Sequence, residues 1–98
     1  MLIMSEIEVQ SAEHGDYYTL QVTVTEGRTK TEHQVTLHKA DLKRLAGDKA
    51  TPQELVRQSF LFLLEREPKE SILRSFNLTA ISRYFPEYDR EIGRRLQR

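Results

Sequence analysis

Apolar and polar positions alternate along the first third of the chain and then change period. Between residues 3 and 10, Ile3, Ile7 and Val9 point one way, and Glu6, Glu8 and Gln10 the other. Such alternation marks a half-buried strand. Between 17 and 25 it is cleaner: Tyr18, Leu20, Val22 and Val24 form an apolar face, backed by Tyr17, Thr19, Gln21, Thr23 and Thr25. Residues 31–37 set His33, Val35 and Leu37 against Glu32, Gln34 and Thr36. Glu13-His14-Gly15-Asp16 and Glu26-Gly27-Arg28-Thr29-Lys30 join these runs with turn chemistry. Short links between consecutive strands predict an antiparallel meander with one wet face.

Helical spacing takes over after Leu37. Lys39 to Ala46 predicts a short helix with Leu42 and Leu45 inward, stopped by Gly47. The strongest helical signal follows, over 52–66. Thr51 is suited to the N-cap, Pro52 to the first helical position and Glu54 to the far side of a capping box. Pro68 forces an end, because the residue before a proline is driven out of the α region. Leu55, Val56, Phe60, Phe62, Leu63 and Leu64 fall within an arc of roughly 200° at about 100° per residue. Leu61 lies outside that arc, to be covered by later chain or by a partner, whereas Phe60 and Leu63 belong to the core.

Three further helices are expected. Glu67-Pro68-Lys69-Glu70 imitates the Thr51 start signal and predicts a short helix over 68–75, carrying Ile72 and Leu73. Phe76-Asn77 would then turn the chain, with Asn77 capping a helix over 78–84 that carries Leu78, Ile81 and Tyr84. Tyr88, Ile92 and Leu96 share one face of a last helix over 87–96. The expected fold is a single α+β domain over residues 1–98: a three-stranded antiparallel meander packed on a central helix, followed by short C-terminal helices.

Composition narrows the chemistry. The 98 residues balance 15 Lys and Arg against 15 Asp and Glu, which argues against a generic nucleic-acid binder. The absence of cysteine excludes disulfides, thiolate metal sites and cysteine nucleophiles. The first residues carry neither a basic region nor an apolar stretch of signal length, so the expected compartment is the cytoplasm. The apolar run Phe60 to Leu64 is far short of the ~20 residues that span a bilayer. Asn77-Leu78-Thr79 matches a glycosylation sequon by chance.

Of the three histidines, His33 and His38 sit five apart in a strand and therefore face opposite ways, unable to clasp one metal. His14 lies in a turn. The ordinary reading leaves His14 and His38 exposed and His33 on the inner face of the sheet or at its rim. Glu65, Glu67 and Glu70 bracket Pro68 beside Arg66 and Lys69, a pattern typical of a solvated charge cluster. With no phosphate loop, nucleophile elbow or zinc-protease motif, no catalytic residue, metal or cofactor is expected.

Two surfaces remain as candidates. The polar sheet face offers Thr19, Gln21, Thr23, Gln34 and Thr36 as an uncharged interaction patch, with Leu61 as a further contact. The alternative is nucleic-acid binding by segment 69–85, whose two expected helices and tight turn resemble a helix-turn-helix. Thr79, Ser82 and Arg83 would then face a groove, with Arg90 and Arg94 on phosphates. Lys69 to Arg98 holds seven basic and four acidic residues. A single arginine on the recognition helix makes this the weaker reading, and cations also suit a helix C-terminus.

Leu-Leu-Glu-Arg-Glu-Pro-Lys-Glu-Ser-Ile-Leu-Arg-Ser-Phe (63–76) and Ile-Ser-Arg-Tyr-Phe-Pro-Glu-Tyr (81–88) resemble small bacterial proteins of unknown function. That resemblance covers the C-terminal half and implies no activity. In layout alone, strands followed by a helix are also similar to antitoxins of the HicB type. The expected function is a non-catalytic cytoplasmic protein-interaction or regulatory module, with a DNA-binding or antitoxin-like regulator as the alternative. A homodimer is expected on two grounds: strand 31–37 carries no proline or internal lysine to blunt its edge, and Leu61 is left over.

Overall fold

Two glycines set the register of the sheet. A computed structural model describes residues 5–96, so Ile3 and Arg98 lie outside the described residues. Gly15 and Gly27 both adopt positive φ, at 66° and 61°. Each occupies the first of two turn positions, the place where a II′-type hairpin needs a residue without Cβ. The turns are therefore only Gly15-Asp16 and Gly27-Arg28, shorter than the sequence suggests. Strands β1 (Ser5–His14), β2 (Tyr17–Glu26) and β3 (Thr29–His38) reach full length between them, pairing Ser5 with Glu26 and Tyr17 with His38.

Alternation decides the inner face. Leu20, Val22, Val24, Val35 and Leu37 are inaccessible to solvent, and Ile7 nearly so. Over them lies α2 (Pro52–Leu64), preceded by α1 (Lys39–Ala46). Thr51 Oγ1 accepts from the Glu54 amide at 3.1 Å, as the start signal requires. The reciprocal half of the capping box is replaced: the Glu54 carboxylate takes the Gln58 side-chain amide at 3.3 Å. The helix ends at Leu64, two residues early, where the Arg66 guanidinium folds back over the Phe62 ring and donates to the Phe62 carbonyl at 3.0 Å. Leu55, Val56, Phe60, Phe62 and Leu63 are buried. Leu61 stays 36% exposed, on the side of α2 turned away from the core.

Segment 68–77 departs from expectation. No helix forms over 68–75. A single 3-10 turn (Lys69–Ser71) gives way to extended chain, and Ser75–Asn77 becomes strand β4, parallel to β3 at Gln34–Thr36. Eight residues are too few to hold a helix unaided, and the open edge of β3 offers their backbone better partners. Gln34 N–H donates to Arg74 O at 2.7 Å. The sheet thus has four strands in the order β1-β2-β3-β4. Strand 31–37 is therefore covered over Gln34–Thr36, which weakens that ground for a dimer. The strap is pinned at its start by Lys69, whose ammonium reaches Glu70 at 2.6 Å, Thr29 Oγ1 at 2.7 Å and Glu26 at 3.5 Å. Lys69 is buried, not part of a solvated cluster.

Asn77 caps as expected, its Oδ1 accepting from Thr79 N–H at 3.0 Å. The turn that follows is 3-10 over Leu78–Ala80 and runs into α3 (Ile81–Tyr84), then α4 (Tyr88–Leu96). Tyr88, Ile92 and Leu96 face inward. Tyr88 meets Phe62 edge-to-face at 5.3 Å and shares a 2.6 Å hydrogen bond with Ser59 Oγ inside the core. Tyr84, expected inward, is 68% exposed.

Candidate interaction surface

The end of α2, the 68–77 strap and α3 enclose a cleft. Glu67 N–H donates to Leu63 O at 2.9 Å, which tucks residue 67 over the last turn of the helix. Extended chain then sends successive side chains to opposite sides. Ile72 enters the core, while Leu73 turns outward and is 49% exposed. The result is a groove of about 390 Å³, walled by Leu63, Ile72, Phe76, Ile81 and Phe85. Leu73 and Tyr84 stand on its border as two of the most exposed large apolar side chains among the described residues.

One carboxylate interrupts this apolar lining. Glu67 is half-buried in the wall, and burial alone pushes its carboxyl above the ordinary value. The neighbouring cations are committed elsewhere. Arg66 pairs with Glu87 at 3.1 Å, and Lys69 with Glu70 and Glu26. Ser71 adds a hydroxyl to the lining.

His33 stands behind the strap. It is 1% exposed and meets Phe60 edge-to-face at 5.2 Å. Its Nδ1 lies 2.8 Å from Leu73 O, which only accepts, so Nδ1 carries the proton and Nε2 accepts from the Thr31 hydroxyl at 2.8 Å. Desolvation lowers the pKa of the ring, against the opposing effect of the Leu73 carbonyl, and the nearby Arg74 adds to the lowering. His33 is a satisfied core histidine that ties β3 to the strap.

The polar sheet face is present as expected. Gln21 and Gln34 are exposed, and Thr19, Thr23 and Thr36 half-buried. Cross-strand register lines up Gln10, Gln21 and Gln34 in one row. Leu61 does not join this patch, because α2 covers the opposite face of the sheet. His14 and His38 are exposed and flank Tyr17, at 5.1 Å and 5.9 Å between ring centroids. With the tyrosine ring between them, they do not converge on one ion. Among the described residues no group of three or more His, Asp or Glu side chains is placed to hold a metal.

The helix-turn-helix geometry is not formed, since its first helix is replaced by the strap. Thr79 Oγ1 donates to Asn77 Oδ1 at 2.8 Å and Ser82 Oγ to Thr79 O at 2.9 Å, so both hydroxyls are spent on local turns. Arg83, Arg90 and Arg94 are exposed. The basic C-terminal region is threaded with carboxylates: Arg94 lies 3.7 Å from Glu91, Arg95 2.6 Å from Glu65 and Arg44 3.0 Å from Asp89.

Sequence reasoning passed over the groove. Of the residues that wall it, Leu63 is expected in the core of the 52–66 helix, Ile72 and Ile81 on two short helices, Phe76 in a turn and Phe85 at a helix break, while Glu67 is expected in a solvated cluster. No local signal marks the extended chain, since Ile72 and Leu73 are adjacent apolar residues without a period of two. Among the described residues no helix is long and apolar enough to cross a membrane. Comparison with protein-family models, with curated proteins and with solved structures finds no match for this chain.

Proposed function

We propose that the chain is a non-catalytic, cytoplasmic protein-interaction module that docks a partner protein in the groove between the end of α2, the strap and α3. The observation that carries this reading is the placement of Leu73 and Tyr84, 49% and 68% exposed, on the border of an apolar cleft. Monomeric soluble proteins seldom leave contiguous apolar surface of this kind without a use for it. A volume of about 390 Å³ is at the low end for ligand clefts, which run from about 300 to 1,000 Å³. The few polar groups around it would orient a small molecule poorly, whereas the apolar border suits a chain that continues past the cleft. Selection of a phage-displayed random peptide library on the 98-residue chain tests the reading. Enriched peptides should bind the wild type and be lost with Leu73→Asp, in a variant whose thermal melt is intact. Peptides that bind both equally would overturn it.

Self-association has its own support, at the other edge of the sheet. Among the described residues, all ten residues of β1 pair with β2 alone, so its far edge meets no other strand of the sheet. An edge of that length without proline or lysine is suited to pairing with a second copy. Sedimentation equilibrium over a wide concentration range decides it: a mass that stays at one chain at the highest concentration rules the dimer out.

A further inference from the structure

The groove carries more chemistry than its apolar walls. Its lining includes a single carboxylate, Glu67, set among Leu63, Ile72 and Phe85. A carboxylate in apolar surroundings gains from a cation brought to it, because a charge-assisted hydrogen bond strengthens as water leaves. This protein does not supply that cation from the flanking positions. The Arg66 guanidinium is held on the Phe62 carbonyl and on Glu87, and the Lys69 ammonium on Thr29, Glu70 and Glu26. Among the described residues, no salt bridge reaches the Glu67 carboxylate, which stands in an otherwise largely apolar lining.

Resting on the docking role proposed above, we infer that the groove selects a partner segment bearing a bulky apolar side chain with a lysine or arginine close to it in sequence. The apolar side chain fills the cleft over Ile72 and Phe76, and the cation meets the Glu67 carboxylate at its wall. A segment with an acidic residue in place of the cation is rejected, since it would bring like charge to a carboxylate already short of water. Discrimination thus comes from repulsion as much as from attraction. Tyr84 and Leu73 extend apolar contact to either flank, where specificity is weaker.

Library selection provides the probes. Among enriched peptides that are lost with Leu73→Asp, a basic residue should recur near the apolar anchor. Synthetic peptides from that set, labelled for fluorescence anisotropy, then enter a double-mutant cycle. Replacing the peptide cation by glutamine should weaken binding to the wild type about tenfold. Glu67→Gln should weaken the parent peptide to the same extent and leave no further loss when the peptide cation is also removed. Glu67→Gln keeps the shape of the side chain, and an unchanged melt shows that the wall is intact. Groove-dependent peptides with no basic residue, or with losses that simply add, overturn the inference and leave the docking role standing. Failure to enrich any peptide that depends on Leu73 overturns both.

Discussion

Removing the Ser59 hydroxyl should cost more stability than removing the Tyr88 hydroxyl, although the two share one hydrogen bond. Both side chains are inaccessible to solvent. Ser59 Oγ donates to Leu55 O at 2.8 Å, and a carbonyl only accepts. The serine proton is therefore committed, and the 2.6 Å contact must be donated by Tyr88 Oη. Burial raises the pKa of the phenol far above its ordinary range, so that proton is present throughout the working pH range. In Tyr88→Phe the serine keeps its own donation and loses only an incoming bond, a net effect of about 0.5–1.5 kcal/mol. In Ser59→Ala the tyrosine proton is left buried without an acceptor, at about 1–3 kcal/mol. The double variant removes donor and acceptor together and should fall close to Tyr88→Phe, with a favourable coupling between the two sites. Urea unfolding of the four proteins reads this from midpoints at constant m-value. Thermal melts give a second reading, at roughly 4–8 °C per kcal/mol for a domain of this size. If Ser59→Ala is no more damaging than Tyr88→Phe, or the double variant equals the sum of the singles, the assignment of donor and acceptor is wrong.

Stability should fall as pH drops below neutrality, in part through His33. Desolvation holds its folded pKa below the ordinary value, so its contribution is full above about pH 6.5 and is lost as pH falls through the folded pKa. Glu67, raised by burial, acts with the opposite sign. Urea midpoints between pH 7.5 and 5.5, in a Glu67→Gln background, should therefore decline less in His33→Gln than in its parent; equal slopes would rule the histidine out. Lys69→Ala should release the strap, and hydrogen exchange should quicken at the Gln34 amide, which donates to Arg74 O, while the β1–β2 amides hold their protection. Uniform quickening across the sheet would mean that Lys69 acts on global stability instead. Mixed-sequence duplex DNA should show at most weak, salt-sensitive retardation, because the exposed arginines of α4 are interleaved with carboxylates; a tight complex at physiological salt would contradict this.

Where the sequence was legible, the determining interactions are local. The alternations in β1, β2 and β3 named the inner faces correctly, and the four-residue spacing of Tyr88, Ile92 and Leu96 named the buried side of α4. The arc on α2 placed Phe60 and Leu63 in the core and set Leu61 apart. Thr51 and Asn77 cap as their chemistry requires, since a cap reaches only two or three residues. What failed to show is non-local. Lys69 is buried because Glu26 and Thr29, some forty residues earlier, form its cage. Ser59 finds its partner in Tyr88, 29 residues on, which no local pattern around residue 59 announces. Segment 68–75 was misread for the same reason. Its expected start is not formed either: Pro68 stands outside the 3-10 turn in extended conformation with no side-chain cap, and the chain answers to the edge of β3.

That single substitution of strap for helix accounts for two features that look unrelated. As a helix, 68–75 would set Ile72 and Leu73 side by side on one apolar face, both directed at α2. In extended chain they part: Ile72 enters the core and Leu73 borders the groove. The same backbone change frees the 74–77 amides and carbonyls, which close the edge of β3 at Gln34–Thr36. The sealed edge and the open groove are thus two consequences of one conformation. Thermodynamic linkage would then join them under the docking role proposed above: a segment seated against Leu73 and Phe76 would bind only the strapped form and stabilise it by its own binding free energy. Loss of the strap would both destroy the groove and bare the edge strand. On the docking role proposed above, a seated partner would therefore also protect the β3 edge.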